Sequence, residues 1–435
     1  MAVVFGCASS ASAAEWSTPQ PITPDVSTSD LAVGMVGNGT AVTAWTGPAG
    51  IDAAVAPPGK PFATPQRLSS HSVGGNEVSN LLAVDGRGDA IVAWIQPNRR
   101  QPSPGRLYVS YRPVGRAFGA DHLIARNAAA VDVEIGAAGD ATLVWQNADR
   151  PQGIAEVTRS AAGRFGRVQR LAGASGSHPA LAVNARGDAV ATWESGTQPR
   201  TAVQYATRRA GAAFARPITL VSAKQGGAQP AVGLDNAGTA LVAWEGEFDS
   251  DGSGVPYDVI DTASAQAGSS RHGPILRLPT PGRGGLWDLG AVPDVNVDPG
   301  GDAVVVWETY NRSNGGRDGV EMARGRVGRA LGMPQTVHFG TLNNGANSAI
   351  GPNGDAVVAW DDLFGPDGAR IASGPQRPLG PVLAVSSPAE ESDLPVVAVN
   401  RTGGAIAVWQ DLGPVSNPST KRPLTPLLYA RAPAS

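Results

Sequence analysis

Four carboxylates occupy one recurring position in this 435-residue chain: Glu194, Glu245, Glu308 and Asp361 each directly follow a tryptophan. Equivalent residues on neighbouring sheets should stand about 10 Å apart, too far to share one calcium ion. The expected role of such acids is therefore a broad negative field that steers a cationic partner. The equivalent position elsewhere holds Thr46, Ile95, Gln146 and Gln410, so the acids fall on four consecutive repeats. A polar strand end in water is the plain alternative, and both are carried forward as expectations. A second acidic cluster, Asp249-Ser-Asp251-Gly-Ser-Gly254, alternates carboxylates with glycine as a calcium loop does. The twelfth position from Asp249 is Ile260, where an EF-hand needs a bidentate glutamate. Calcium at Asp249 and Asp251 is therefore the only cofactor candidate, and a solvated loop is its rival.

Trp287 sits in Gly284-Gly-Leu-Trp-Asp288 and breaks the tryptophan pattern. An aromatic on a loop is a natural contact residue for a ligand, or it folds back over its own sheet. The five histidines, His71, His122, His178, His272 and His338, form no metal-binding pair in sequence. No nucleophile elbow, phosphate loop or dinucleotide fingerprint is present. Catalytic residues remain unknown at this level, because separation along a repeat chain does not give separation across repeats.

The elements that position these residues follow from one repeat. The segment Gly39-Thr-Ala-Val-Thr-Ala-Trp45 returns with its tryptophan at 94, 145, 193, 244, 307, 360 and 409. The Gly-to-Trp spacing is six in all eight copies, and the residue two after the glycine is always alanine. Successive tryptophans lie 49, 51, 48, 51, 63, 53 and 49 residues apart.

Each copy reads as four short strands. Leu181 to Asn184 ends in a turn at Gly187, where a positive φ without a Cβ suits a tight hairpin. Ala189 to Trp193 is apolar on both sides, as a strand covered on two faces should be. Val203 to Arg208 forms the third strand, and Arg216 to Val221 the fourth, with Pro217 tolerable at an outer edge. The last copy runs through a third strand at Leu427 to Arg431, while Trp16 to Thr23 reads as a fourth. One end supplies the strand that the other lacks, which removes an exposed sheet edge. The expected fold is all-β: an eight-bladed β-propeller of four-stranded antiparallel blades, with the last blade closed by the N-terminal strand.

These units resemble the broad group of secreted bacterial β-propellers, WD40-like or TolB-like in the wide sense. The resemblance covers residues 15 to 435 and implies a fold without implying an activity. Two enzyme-bearing relatives of that architecture fit poorly. The sialidase Asp-box places its tryptophan nearer the glycine, and the adjacent cysteine pair found in many quinoprotein dehydrogenases is missing from a chain with one cysteine.

Residues 1–14 read as an export signal, with an apolar run from Ala2 to Ala8 and small residues before a cleavage point at Ala14. Cys7 lies within that segment, and lipid anchoring through it is a minor alternative. Residues 15–435 then form a single domain. With 34 Lys plus Arg against 37 Asp plus Glu, the chain lacks the basic footprint of a nucleic-acid binder. No apolar run approaches the ~18 residues of a membrane-spanning helix. The reading from sequence is thus an extracytoplasmic, monomeric binding or scaffold module for a protein or carbohydrate partner. A glycan-active hydrolase or lyase with dispersed catalytic residues is the alternative, and fold alone does not choose between them.

Overall fold

The computed structural model describes residues 16–26, 30–47, 49–69, 82–98, 101–149, 152–173, 175–197, 200–248, 257–278, 287–288, 293–311, 316–340, 342–362, 368–372, 380, 383–384, 390–414 and 425–432. The export segment with Cys7, and the calcium candidates Asp249 and Asp251, lie outside them. The protein is an all-β propeller. Among the described residues no helix is long and apolar enough to cross a membrane.

The fourth repeat shows how a unit is built. The strands Gly176–Val183, Ala189–Thr197, Arg200–Arg208 and Ile218–Val221 pair antiparallel in chain order. Their first hairpin turns at Gly187, whose φ is +86°. Asn184 ties the turn together, its Oδ1 accepting from the N–H groups of Arg186 and Asp188, both at 3.0 Å. All eight glycines of the repeat have positive φ, which explains their fixed place in the sequence.

The first strands form a closed ring. Leu31–Met35 lies beside Leu82–Val84, and each following first strand neighbours the next as far as Glu390–Val399, which packs back on Leu31–Met35. The N-terminal strand Gln20–Val26 pairs antiparallel with Thr425–Ala432, completing the sheet that also holds Ala405–Pro414 and Glu390–Val399. The Tyr429 hydroxyl donates to Gln20 Oε1 at 2.7 Å, and Ser17 N donates to Arg431 O at 2.7 Å. Closure by the N-terminal strand is therefore as expected from the sequence.

Two sheets depart from four strands. The repeats around Trp94 and Trp145 merge into one seven-stranded sheet. Its link is the 14-residue strand His122–Ile135, which pairs through His122 to Ala128 with the second repeat and through Ala128 to Ile135 with the third. This stretch contains neither glycine nor proline, so nothing in it breaks the extended chain. In the sixth repeat, Trp287–Asp288 adds a short pairing to the end of the second strand, opposite Asn311 and Tyr310.

The core lies between sheets. The eight repeat tryptophans are at most 2% exposed, and the invariant alanines at most 1%. One such cluster joins Val144 and Ile154 of the third repeat to Leu181, Ala189, Trp193 and Ala206 of the fourth. The tryptophans are packing residues between sheets, where truncation to alanine costs about 3–5 kcal/mol. The alanines are small because the neighbouring sheet leaves room for nothing larger.

Candidate functional site

The four acids following the tryptophans lie within second strands that run on past them, not at strand exits as expected, and three are withdrawn from water. Glu194 is 1% exposed, Asp361 1% and Glu308 8%, while Glu245 is half-buried. Glu194 joins two sheets: its Oε1 accepts from the backbone N–H of Gln229 at 2.8 Å and meets His178 Nδ1 at 3.1 Å, and Ser177 Oγ approaches Oε2 at 3.5 Å. Both His178 (φ +48°) and Gln229 (φ +49°) hold backbone conformations rare outside glycine, and each precedes a proline at an irregularity in its first strand. Burial acts to raise the Glu194 pKa, but the contacts from His178, Gln229 and Ser177 outweigh it and hold the carboxyl below its ordinary value. Trp287 is described only through its backbone pairing with Asn311. Among the described residues no group of three or more His, Asp or Glu side chains is placed to hold a metal ion.

Similar devices link other sheets. Asp132 Oδ2 accepts from Leu181 N at 2.7 Å, Asp294 Oδ2 from Ser348 N at 2.8 Å, and Asn347 Oδ1 from Val397 N at 3.1 Å. Gln169 and Phe214 exchange a reciprocal pair, Nε2 to O at 2.9 Å and N to Oε1 at 3.0 Å. Polar residues on both inner and outer parts of the sheets thus serve to fasten one repeat to the next.

A groove of about 900 Å³ opens at the other end of the strand that carries Glu194, between the third and fourth repeats. Its walls are the turns after the third strands, Ser160 to Val168 and Ala210 to Ala213, with the Arg186-Gly187 hairpin between them. At its base the third-strand residue Arg208, 8% exposed, donates from Nη1 to Thr158 Oγ1 at 2.6 Å and from Nη2 to Thr142 Oγ1 at 2.5 Å. The guanidinium also lies over the Phe214 ring at 4.9 Å. Its nearest carboxylate, Glu156, stands at 3.9 Å, too far for a hydrogen bond. Burial lowers the Arg208 pKa against the pull of Glu156, and burial raises that of Glu156 against the pull of Arg208.

The groove's charge is one-sided. Five arginines line it (Arg164, Arg167, Arg170, Arg186 and Arg208) against the carboxylates Asp140 and Glu156. Arg186 is engaged by Asp188 at 2.9 Å, and Arg170 donates to Gln152 O at 3.1 Å. Arg164 and Arg167 are exposed and meet no carboxylate among the described residues. Asp140 is occupied in the turn, where it accepts from Ala161 N at 2.7 Å. The excess is local, since the whole chain carries a formal charge of −3.

Sequence reading did not reach this groove, whose lining spans Asp140 to Ala213. A signal was present nonetheless. Arg112, Arg159 and Arg208 stand opposite the invariant alanines Ala90, Ala141 and Ala189, at one register in three consecutive repeats.

No protein-family model and no curated protein matches the chain. Among solved structures, a lectin from Burkholderia pseudomallei is similar with a TM-score of 0.54 at 12% identity, over 83% of this chain and 100% of that one. A ulvan lyase is similar with a TM-score of 0.51 at 10% identity, over 95% of both chains. The polysaccharide lyase Uly1 is similar with a TM-score of 0.50 at 8% identity, over 84% of this chain and 92% of that one. At such identities the likeness is one of architecture, and what it establishes is that this chain has the β-propeller fold.

Proposed function

We propose that this protein is an exported propeller that binds an anionic glycan in the groove between its third and fourth repeats. The observation that carries the reading is the cluster of guanidinium groups there, two of them exposed without a carboxylate partner and one buried at 3.9 Å from its nearest acid. Fixed guanidinium groups pair well with the planar carboxylate of a uronic acid or with a sulfate. The rim adds Phe165 and Val168, so the groove combines charge with apolar surface, as saccharide sites require. A lectin and polysaccharide lyases among the similar folds agree with a glycan ligand, without identifying one.

The test is binding of the purified protein to immobilised polygalacturonate and chondroitin sulfate, with neutral galactan as control. Retention on an acidic polymer is expected, falling roughly tenfold when Arg164 and Arg167 both become glutamine. Equal binding to galactan, or an acidic-polymer affinity indifferent to both substitutions, overturns the proposal.

One observation favours a second reading, a glycan-cleaving enzyme. Glu156 lies in the same groove with its pKa raised by burial, and a carboxyl that keeps its proton to higher pH can act as a general acid. Release of new reducing ends or unsaturated ends from the bound polymer, abolished by Glu156→Gln, would favour that reading.

A further inference from the structure

We infer that the ligand is a linear acidic oligosaccharide long enough to occupy two neighbouring grooves at once, an inference that rests on the anionic-glycan reading of the first groove. A second groove, of about 650 Å³, opens between the second and third repeats. Phe165 lines both grooves. Its ring stacks on His122 with centroids 4.7 Å apart and planes 7° from parallel, so the pair stands as a flat partition between the two spaces. On the far side of that partition, Arg159 covers the Tyr111 ring at 3.6 Å and has no carboxylate partner among the described residues. Arg116 adds a further exposed guanidinium to the same wall.

The chemistry therefore repeats. Arg159 stands opposite Ala141, and Arg208 opposite Ala189, at the same point of the repeat. Facing sheets pack about 10 Å apart, so two such anchors are separated by more than one sugar ring. A short saccharide can engage one groove only. A longer chain carrying charge on successive units can engage both, its middle resting along the edges of Phe165 and His122. The second contact is then intramolecular and strengthens binding without any new kind of interaction.

The test is titration of the intact protein with galacturonate di- and hexasaccharides, and with chondroitin sulfate di- and hexasaccharides. In whichever series binds, the hexasaccharide is expected to bind at least about tenfold tighter than the disaccharide. Arg159→Gln should remove most of that gain, with the melting temperature recorded for each variant. Phe165→Leu should also reduce the gain, since it removes the stacked partition while keeping an apolar side chain. Equal affinities for short and long chains, or a length effect untouched by Arg159→Gln, overturn the two-groove inference. Disaccharide binding that still depends on Arg164 and Arg167 would in that case leave the proposed function standing. Failure of both series at both lengths would bring down the function and the inference together.

Discussion

Glu194, within the second strand of the fourth repeat, accepts a hydrogen bond at 2.8 Å from the backbone N–H of Gln229 on the next sheet. The carboxylate is 1% exposed, and replacing it by alanine strands a buried donor at a cost of about 1–3 kcal/mol. Its folded pKa lies below the ordinary value, so its ionised form stabilises the protein above the unfolded pKa. That contribution disappears as pH falls through the lowered folded value. Thermal melts from pH 7 down to pH 3 should show Glu194→Gln losing less stability on acidification than the parent. Parallel pH profiles for the two proteins would contradict this.

Removal of the N-terminal strand should be severe. A chain shortened to begin at Ala32 loses the pairing of Gln20–Val26 with Thr425–Ala432 and exposes a sheet edge. Each lost hydrogen bond contributes roughly 0.5–1.5 kcal/mol. Aggregation or a much lower melting temperature is expected. A soluble product melting with the full chain would disprove closure as a source of stability.

Ala189 and Ala240 are fully buried, whereas Ala212 is exposed in a turn. Leucine at either buried site should overpack the space between sheets and destabilise by about 1–3 kcal/mol. The same change at Ala212 should fall within about 0.5 kcal/mol of the parent. Chemical denaturation of the three variants measures this, and equal midpoints would refute the packing assignment.

Glu156 lines the groove with its pKa raised by burial despite the nearby Arg208. As pH falls through that raised value the carboxyl takes up a proton, and the groove loses one negative charge. Affinity for an anionic saccharide should therefore increase below the Glu156 pKa and decline above it. Titrations with galacturonate hexasaccharide should show this slope flattened in Glu156→Gln, with the tighter affinity retained at neutral pH. A slope identical in both proteins would assign the pH effect elsewhere.

The sequence by itself determined the repeat, the strand order within each unit, the turn glycines and the complementary chain ends. These are legible because each depends on local rules: positive φ at Gly187, small volume at Ala189, and the unbroken apolar run into Trp193 that a strand covered on both faces requires. Tertiary structure decided what the polar residues do. Glu194 looked like a solvent-facing acid, yet it fastens two sheets, because its partners Gln229 and His178 are brought in by a neighbouring repeat and by an irregular first strand. The arginine groove was illegible for the same reason. Arg164 and Arg208 sit on turns and strands of different repeats, and only packing of one sheet against the next puts them on one surface. A repeat sequence specifies what each unit contains, whereas a site between units depends on how side chains from two copies meet.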